Sequence, residues 1–232
     1  MIADIGERAL DDPIWSCLTT RQAHFAAGGP LARRYVPAIS PIGALSGTGP
    51  AHIASLEALV EAGNDIALFG PSVPALGPKW EVLFEATLTQ MIRTGRSFLP
   101  EGDADVSPLD RADVAEMMAL VELTKPGPFR PRTIELGSYI GIREGGRLVA
   151  MAGERMWVGS FRELSAVCTH PEAQGRGYAK ALIARVVNRM LRAGEKPFLN
   201  VESGKRRVVD MYAALGFTVR TSYPLLHAKR IG

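Results

Sequence analysis

The 232-residue sequence predicts a mixed α/β fold, with antiparallel strands first and a crossover helix afterwards. Two observations carry that expectation. Three strand-like stretches between Tyr139 and Thr169 are separated only by the short turns EGG and VGS, the pattern of a meander. A long amphipathic stretch, Tyr178–Ala193, then follows a glycine-rich loop and leads into alternating strand and helix patterns.

Taken in order, residues 1–100 are weakly patterned, with Pro and Gly crowded into FAAGGPLARRYVPAISPIGALSGTGP and GPSVPALGPKW. Between these lie a short helix, Ala51–Ala62, ended by Gly63, and a short strand, Ile66–Phe69. Trp80–Ile92 is one further strand or two. This half offers no catalytic constellation, and the isolated His24 and His52 are expected to be structural or surface residues. RTGRSFLPEGDAD, residues 93–105, has the composition of a linker. The expected organisation is therefore an N-terminal α/β domain over residues 1–100 and a second domain over residues 101–232.

The second half is sharper. Val106–Leu109 is a short strand, and Asp110 can cap a helix whose Val114, Met117, Met118 and Val121 share one face. TKPGPF must end that helix, because two prolines within four residues cannot continue it. The meander strands are Tyr139–Arg143, Arg147–Met156 and Glu163–Thr169. In the helix Tyr178–Ala193, Ala179, Leu182, Ile183, Val186, Val187 and Met190 form the apolar face, and Gly194 terminates it. Pro197–Glu202 is a strand, Lys205–Leu215 a helix closed by Gly216, and Phe217–Arg220 and Leu225–Lys229 are final strands. No internal repeat is visible.

Composition limits the function classes. Hydrophobic residues at 47% and charged residues at 22% are an ordinary globular balance, so a packed core is expected. The net charge of +3 is too small to argue for nucleic acid, and the aromatics are not clustered with arginines as a base-stacking platform requires. The charge is uneven, however. Residues 1–100 carry seven basic and nine acidic side chains, and residues 101–232 carry twenty and fifteen. The basic half suits a phosphate-rich small molecule or is a solvated surface. Two distant cysteines, Cys17 and Cys168, make neither a disulfide framework nor a zinc site, and no metal is expected. The N-terminus has no signal-like segment and no window approaches ~18 uninterrupted apolar residues. A cytoplasmic protein without a membrane partner is expected, as monomer or homodimer.

The chemistry concentrates in HPEAQGRGYAKALI, residues 170–183. Backbone N–H groups in a glycine-rich turn can converge on one centre, and the following helix adds unpaired N–H groups and a partial positive charge. A phosphate is the natural ligand, and a dinucleotide is one owner, since Glu202 ends the next strand. Against it, Lys180 stands where a third glycine would be required, Pro171 interrupts the passage from strand to glycines, and a meander precedes the unit.

The same stretch resembles the acetyl-CoA loop of the GNAT acyltransferases, Q/R-x-x-G-x-G/A, at Gln174, Gly177 and Ala179. A second block, VVDMYAALGF, resembles the family's L-Y-x-x-L-G-F helix end, with Met211 in place of leucine, then Tyr212, Leu215, Gly216 and Phe217. The resemblance covers roughly residues 105–230. Lys205 and Val208 depart from the asparagine and alanine that the family often carries before the tyrosine.

The resemblance implies the GNAT fold, a mixed, mostly antiparallel sheet with flanking helices, with residues 1–100 compatible with a degenerate half-copy. It implies acetyl-CoA as co-substrate and a small-molecule or peptide amine as acceptor. Val167, Cys168 and Thr169 would pair with pantetheine, and Gln174, Gly175, Arg176, Gly177, Tyr178, Ala179 and Lys180 would hold pyrophosphate. Ser203 would join the cofactor site, with Arg206 and Arg207 near the 3′-phosphate. Tyr212 would act as general acid and Glu154 or Glu163 as general base. A covalent route through Cys168 would need His170 to activate it. Phe129, Arg130, Arg132 and Glu135 occupy the place of the family's acceptor site. A non-catalytic acyl-CoA sensor is the alternative function.

Overall fold

The computed structural model describes residues 5–232. In chain order the elements are α1 (Ile5–Arg8), α2 (Pro13–Thr19), β1 (Ala26–Gly28), β2 (Ala32–Tyr35), β3 (Ile42–Leu45), α3 (Pro50–Leu59), β4 (Asp65–Phe69) and β5 (Trp80–Ile92). They continue with β6 (Ser107–Leu109), α4 (Val114–Thr124), β7 (Tyr139–Glu144), β8 (Arg147–Val158), β9 (Phe161–Thr169), α5 (Tyr178–Arg192), β10 (Lys196–Glu202), α6 (Arg206–Ala214) and β11 (Thr218–Arg230).

The eleven strands form one sheet in the order β1-β2-β3-β4-β11-β5-β10-β9-β8-β7-β6. Only the β3–β4 and β9–β10 neighbours are parallel. β5, from the first hundred residues, lies between β10 and β11 from the second half. The sheet is continuous across the expected boundary near residue 100, which falls in the connection between β5 and β6.

Local chemistry explains the element ends. Asp12 accepts the Trp15 amide at 3.1 Å and Pro13 opens α2, so that short helix is capped on both counts. Asp110 and Asp113 make a reciprocal capping box ahead of α4, where the sequence placed a cap. Lys125, at φ 47°, ends α4 in the left-handed conformation before Pro126. Gly177, at φ 81°, turns the chain into α5, and Gly194, at φ 73°, turns it out.

One open expectation is narrowed and another changes. Trp80–Ile92 is one thirteen-residue strand. The two final strands are one, β11, which pairs with β5 from Thr218 to Arg230 and bends at register shifts beside Thr221 and Ala228. Its apparent gap at Thr221–Pro224 is bridged because Pro224 sits in a long ladder whose other members supply the hydrogen bonds.

Alternation along the strands divides the core between the sheet's two faces. Leu199 and Val201 of β10 pack with Leu182, Ile183 and Val187 of α5, whereas Phe198 packs with Leu10, Ile14 and Leu18 at the other face. Likewise Ala150 and Ala152 meet α5, and Met151 meets Met117 and Leu120 of α4. Burial of each large apolar side chain stabilises the fold by ~1.5–3 kcal/mol. α5 and α6 therefore back one face, while α2, α4 and the segment after α4 stand on the other.

Candidate functional site

β9 and β10 pair only from Phe161 to Glu163 and from Lys196 to Phe198. Beyond Glu163 and Phe198 the strands part, and a cavity of about 1010 Å³ opens between them. β9 stays paired with β8 through Thr169 on its other side, so its cavity edge carries the unused backbone groups. A bulge re-aims this edge: Met151 pairs with Cys168 but Gly153 pairs with Ser165, and Ala166 takes φ 54°.

The predicted cofactor residues are largely brought together. Val167, Cys168 and Thr169 line the cavity from β9. Gln174, Gly175 and Gly177 line it from the loop, and Tyr178, Ala179 and Lys180 from the first turn of α5. Among the described residues the amides of Gly175, Arg176 and Gly177 have no protein acceptor. The first amides of α5 have none within the helix. Gly175 and Gly177 both have positive φ, and nothing lies within 4 Å of the place a Cβ would take. Thr169 Oγ1 is buried and unpartnered beside them. This open cradle of donors at a helix start fits a pyrophosphate.

Arg176 and Ser203 do not line the cavity. Arg176 donates to Glu144 at 2.6 Å and to the Glu172 carbonyl at 3.1 Å, which pins the loop from outside. Tyr178 donates to the same Glu144 oxygen at 2.6 Å. Ser203 shares a hydrogen bond with Thr89 at 2.7 Å and ties β10 to β5. Arg206 and Arg207 are exposed on α6, outside the lining.

Tyr212 lines the cavity from α6, buried and edge-on to Phe217 at 5.7 Å. Burial pushes its phenol well above the ordinary value of 10.0, so it holds its proton as a donor. Cys168 is a buried wall residue whose thiol burial pushes up to about 11. His170 accepts the Glu172 amide at Nδ1, 3.3 Å, and caps its own turn. No pairing activates the thiol, so the Cys168 covalent route has no structural basis.

Neither candidate carboxylate base reaches the cavity. Glu163 is buried and receives Arg155 at both oxygens, 2.8 and 2.7 Å, Asn200 at 2.8 Å and the Met156 amide at 3.3 Å. Glu154 is buried against Gly137 and ion-paired with Arg162, at 3.7 Å, and with Arg189 of α5. Both carboxylates hold the sheet and its helices together.

The segment expected to meet the acceptor divides in two. Lys125, Pro126, Gly127 and Pro128 line the cavity. Phe129 is buried edge-on to Tyr139 at 5.6 Å, and Arg132 forms an outward pair with Glu135 at 2.9 and 2.8 Å. Arg130 reaches both Asp65 oxygens at 2.7 Å.

The opposite end of the cavity is built by residues that carry no motif in the sequence. Ile42, Ala67, Phe69, Phe84, Leu88 and Leu225 make an apolar wall from β3, β4, β5 and β11. His227 joins it, hydrogen-bonded through Nε2 to Asp65 at 2.9 Å. Arg155 and Asn200 complete the floor. The one signal in the sequence is the alternation Tyr223, Leu225, His227 on one strand face. Among the described residues there is no group of side chains suited to a metal and no helix long and apolar enough to cross a membrane.

The model of the FR47-like protein family matches residues 139–225, which contain both the loop and Tyr212. None of the curated proteins matches the chain in sequence. Among solved structures, a protein of Novosphingobium aromaticivorans DSM 12444 assigned as an acetyltransferase of the GNAT family is 34% identical, with a TM-score of 0.85 over 97% of this chain and 99% of its own. A GCN5-related N-acetyltransferase of Kribbella flavida is 15% identical, TM-score 0.61, over 100% of this chain and 97% of its own. A GCN5-related N-acetyltransferase-like protein of Streptococcus suis 89/1591 is 17% identical, TM-score 0.60, over 98% and 95%. The last two share the fold. With the full-length likeness to the first, the parted strands and the glycine cradle, the chain belongs to the GNAT superfamily.

Proposed function

We propose that the protein is an N-acetyltransferase, moving an acetyl group from acetyl-CoA to a primary amine of a small molecule or peptide by direct attack. One observation carries this reading: a single cavity runs from the glycine cradle, past the parted strands and Tyr212, to an apolar chamber on the far side. A carrier of the acetyl group and an acceptor can meet within that one cavity.

When bound, acetyl-CoA supplies an activated thioester. The chain supplies the rest. Amides of residues 175–180 bind the pyrophosphate, each charge-assisted hydrogen bond contributing ~1.5–3 kcal/mol. The free edge of β9 from Val167 to Thr169 pairs with the pantetheine arm, and an amide at the Ala166 bulge polarises the thioester carbonyl. Tyr212 gives its proton to the departing sulfur. Glu154 and Glu163 belong to the scaffold in this reading, since neither lines the cavity and each is held by arginines. An acceptor amine with a pKa of ~10.4 needs ~4 kcal/mol to lose its proton near neutral pH.

The test is release of free thiol from acetyl-CoA by the purified protein in the presence of a panel of primary amines, with the acetylated product identified by mass. Stabilisation by acetyl-CoA without amine-dependent thiol release would instead favour an acyl-CoA sensor. Thermal stabilisation by NAD and not by acetyl-CoA would overturn the reading altogether.

A further inference from the structure

Resting on that reading, we propose that His227, oriented by Asp65, accepts the proton of the acceptor ammonium, and that the acceptor is a primary amine carried on an apolar body. The chamber defines both halves. Its wall of Ile42, Ala67, Phe69, Leu88 and Leu225 offers contact surface to a hydrocarbon or aromatic group. Within this wall His227 is the titratable side chain.

The polar arrangement around His227 sets its proton inventory. Asp65 and His227 project from neighbouring strands: β11 pairs His227 with Ala67 and Lys229 with Asp65, so the two side chains lie diagonally on one face. His227 Nε2 lies 2.9 Å from Asp65 Oδ2, and Arg130 clasps both Asp65 oxygens. The His227 hydrogen bond, ahead of the opposing effect of burial, and the Arg130 charge hold the Asp65 carboxyl below its ordinary 3.8. An ionised Asp65 keeps the imidazole proton on Nε2. The lone pair is then left on Nδ1, which has no protein partner among the described residues. The same logic orients a histidine base wherever a carboxylate holds its other ring nitrogen.

Two arginines, Arg34 and Arg130, stand near Asp65, and neither lines the cavity. Arg34 donates to the Asp65 carbonyl at 3.1 Å behind the pair. Lys229 stands opposite Glu81 of β5, and Glu85 is paired in register with Leu226, beside His227. Arg155 on the cavity floor is neutralised by Glu163, and Lys125 at the rim by Glu122. An arriving ammonium therefore meets no unpaired cation in the chamber among these groups.

The step balances as follows. The ammonium proton passes to His227 Nδ1, directly or through one water, and the freed lone pair forms the C–N bond as the C–S bond breaks. Tyr212 gives its proton to the sulfur, and the second nitrogen proton restores Tyr212 through solvent. His227 returns its own to bulk water.

The experiment uses the full chain with acetyl-CoA and phenethylamine. His227→Gln is expected to lower kcat/KM for the amine about 10²- to 10⁴-fold at pH 7. The acetyl-CoA concentration that half-stabilises the protein should be unchanged. The deficit shrinks as pH rises towards the amine's own pKa, because free amine then needs no acceptor for its proton. Asp65→Asn gives a smaller loss with the same pH trend. Wild-type rate and pH profile in His227→Gln overturn the proposal. If the wild type acetylates no amine, acetyl transfer fails on its own account. His227 is then judged by its imidazole ¹⁵N signals in the CoA-bound protein: phenethylamine must shift the Nδ1 resonance, and an unmoved resonance overturns the proposal.

Discussion

Arg155 and Glu163 face each other as a two-pronged ion pair inside the sheet, with Nε and Nη2 of the arginine 2.8 and 2.7 Å from the two carboxylate oxygens. Asn200 adds a third donor to the carboxylate, and Tyr223 donates in turn to Asn200. The group joins β8, β9, β10 and β11 directly beneath the cavity. Removing one charge leaves the other buried and uncompensated, which costs ~3–5 kcal/mol. Glu163→Gln is therefore expected to lower unfolding free energy by about that amount in urea titrations. The folded fraction should keep the wild-type shape of rate against pH, since Glu163 is a positioning residue. A normal stability with a flattened pH profile would return Glu163 to the role of base.

Tyr212 differs, because in the proposed reaction its hydroxyl gives a proton, and removing that hydroxyl costs little packing. Tyr212→Phe retains the ring against Phe217. Stability should change little. Turnover should fall about 10²-fold, at the low end for a general acid, with KM for acetyl-CoA nearly unchanged. Because burial holds the phenol protonated well above 10.0, wild-type activity should not decline up to that pH through loss of this proton. Steady-state kinetics from pH 7 to 10 on both proteins measure each point.

The loop and Tyr212 were legible in the sequence because each is a local pattern. Two glycines before an amphipathic helix, and MYAALGF at a helix end, need no distant partner to be understood. The chamber was illegible for the opposite reason. His227 meets Asp65 across 162 residues, and β5 enters the sheet between two strands more than one hundred residues later. Neither pairing leaves a mark at the positions themselves. Glu154 and Glu163 were plausible bases by strand position, but alternation alone cannot reveal that Arg155, Arg162 and Arg189 consume them. Arg130 was expected among the acceptor contacts, but it pairs with Asp65 and does not line the cavity.

Asp65 also predicts an acid-sensitive wall. Its folded pKa is depressed, chiefly by the His227 hydrogen bond, so its contribution is present above the unfolded value near 3.8 and is lost as pH falls through the lower folded value. The pair is partly exposed, and solvent screening limits the contribution to about 1 kcal/mol. Asp65→Asn should therefore be about that much less stable than wild type at pH 6. The two unfolding curves should converge as pH drops below 3.8. A gap that persists undiminished at pH 3 would mean that Asp65 acts through packing and not through charge.

The bulge at Ala166 yields the last prediction, and there two opposing effects compete. Ala166 sits at φ 54°, a conformation that costs an L-residue ~1–2 kcal/mol relative to glycine. Glycine removes that strain but adds ~0.4–1 kcal/mol of unfolded-chain entropy. The relief of strain outweighs the added entropy, so Ala166→Gly should stabilise the protein by up to about 1 kcal/mol. Ala166→Val, with a branched side chain at the same φ, should destabilise it by more than that. If the bulge aims an amide at the thioester, glycine leaves the direction of that amide intact and turnover should hold, while valine should lower kcat before it changes KM for acetyl-CoA. Urea unfolding and steady-state kinetics on the two variants separate these effects. A glycine variant that is less stable than wild type would show that contacts of the Ala166 methyl with its α4 neighbours outweigh the backbone strain.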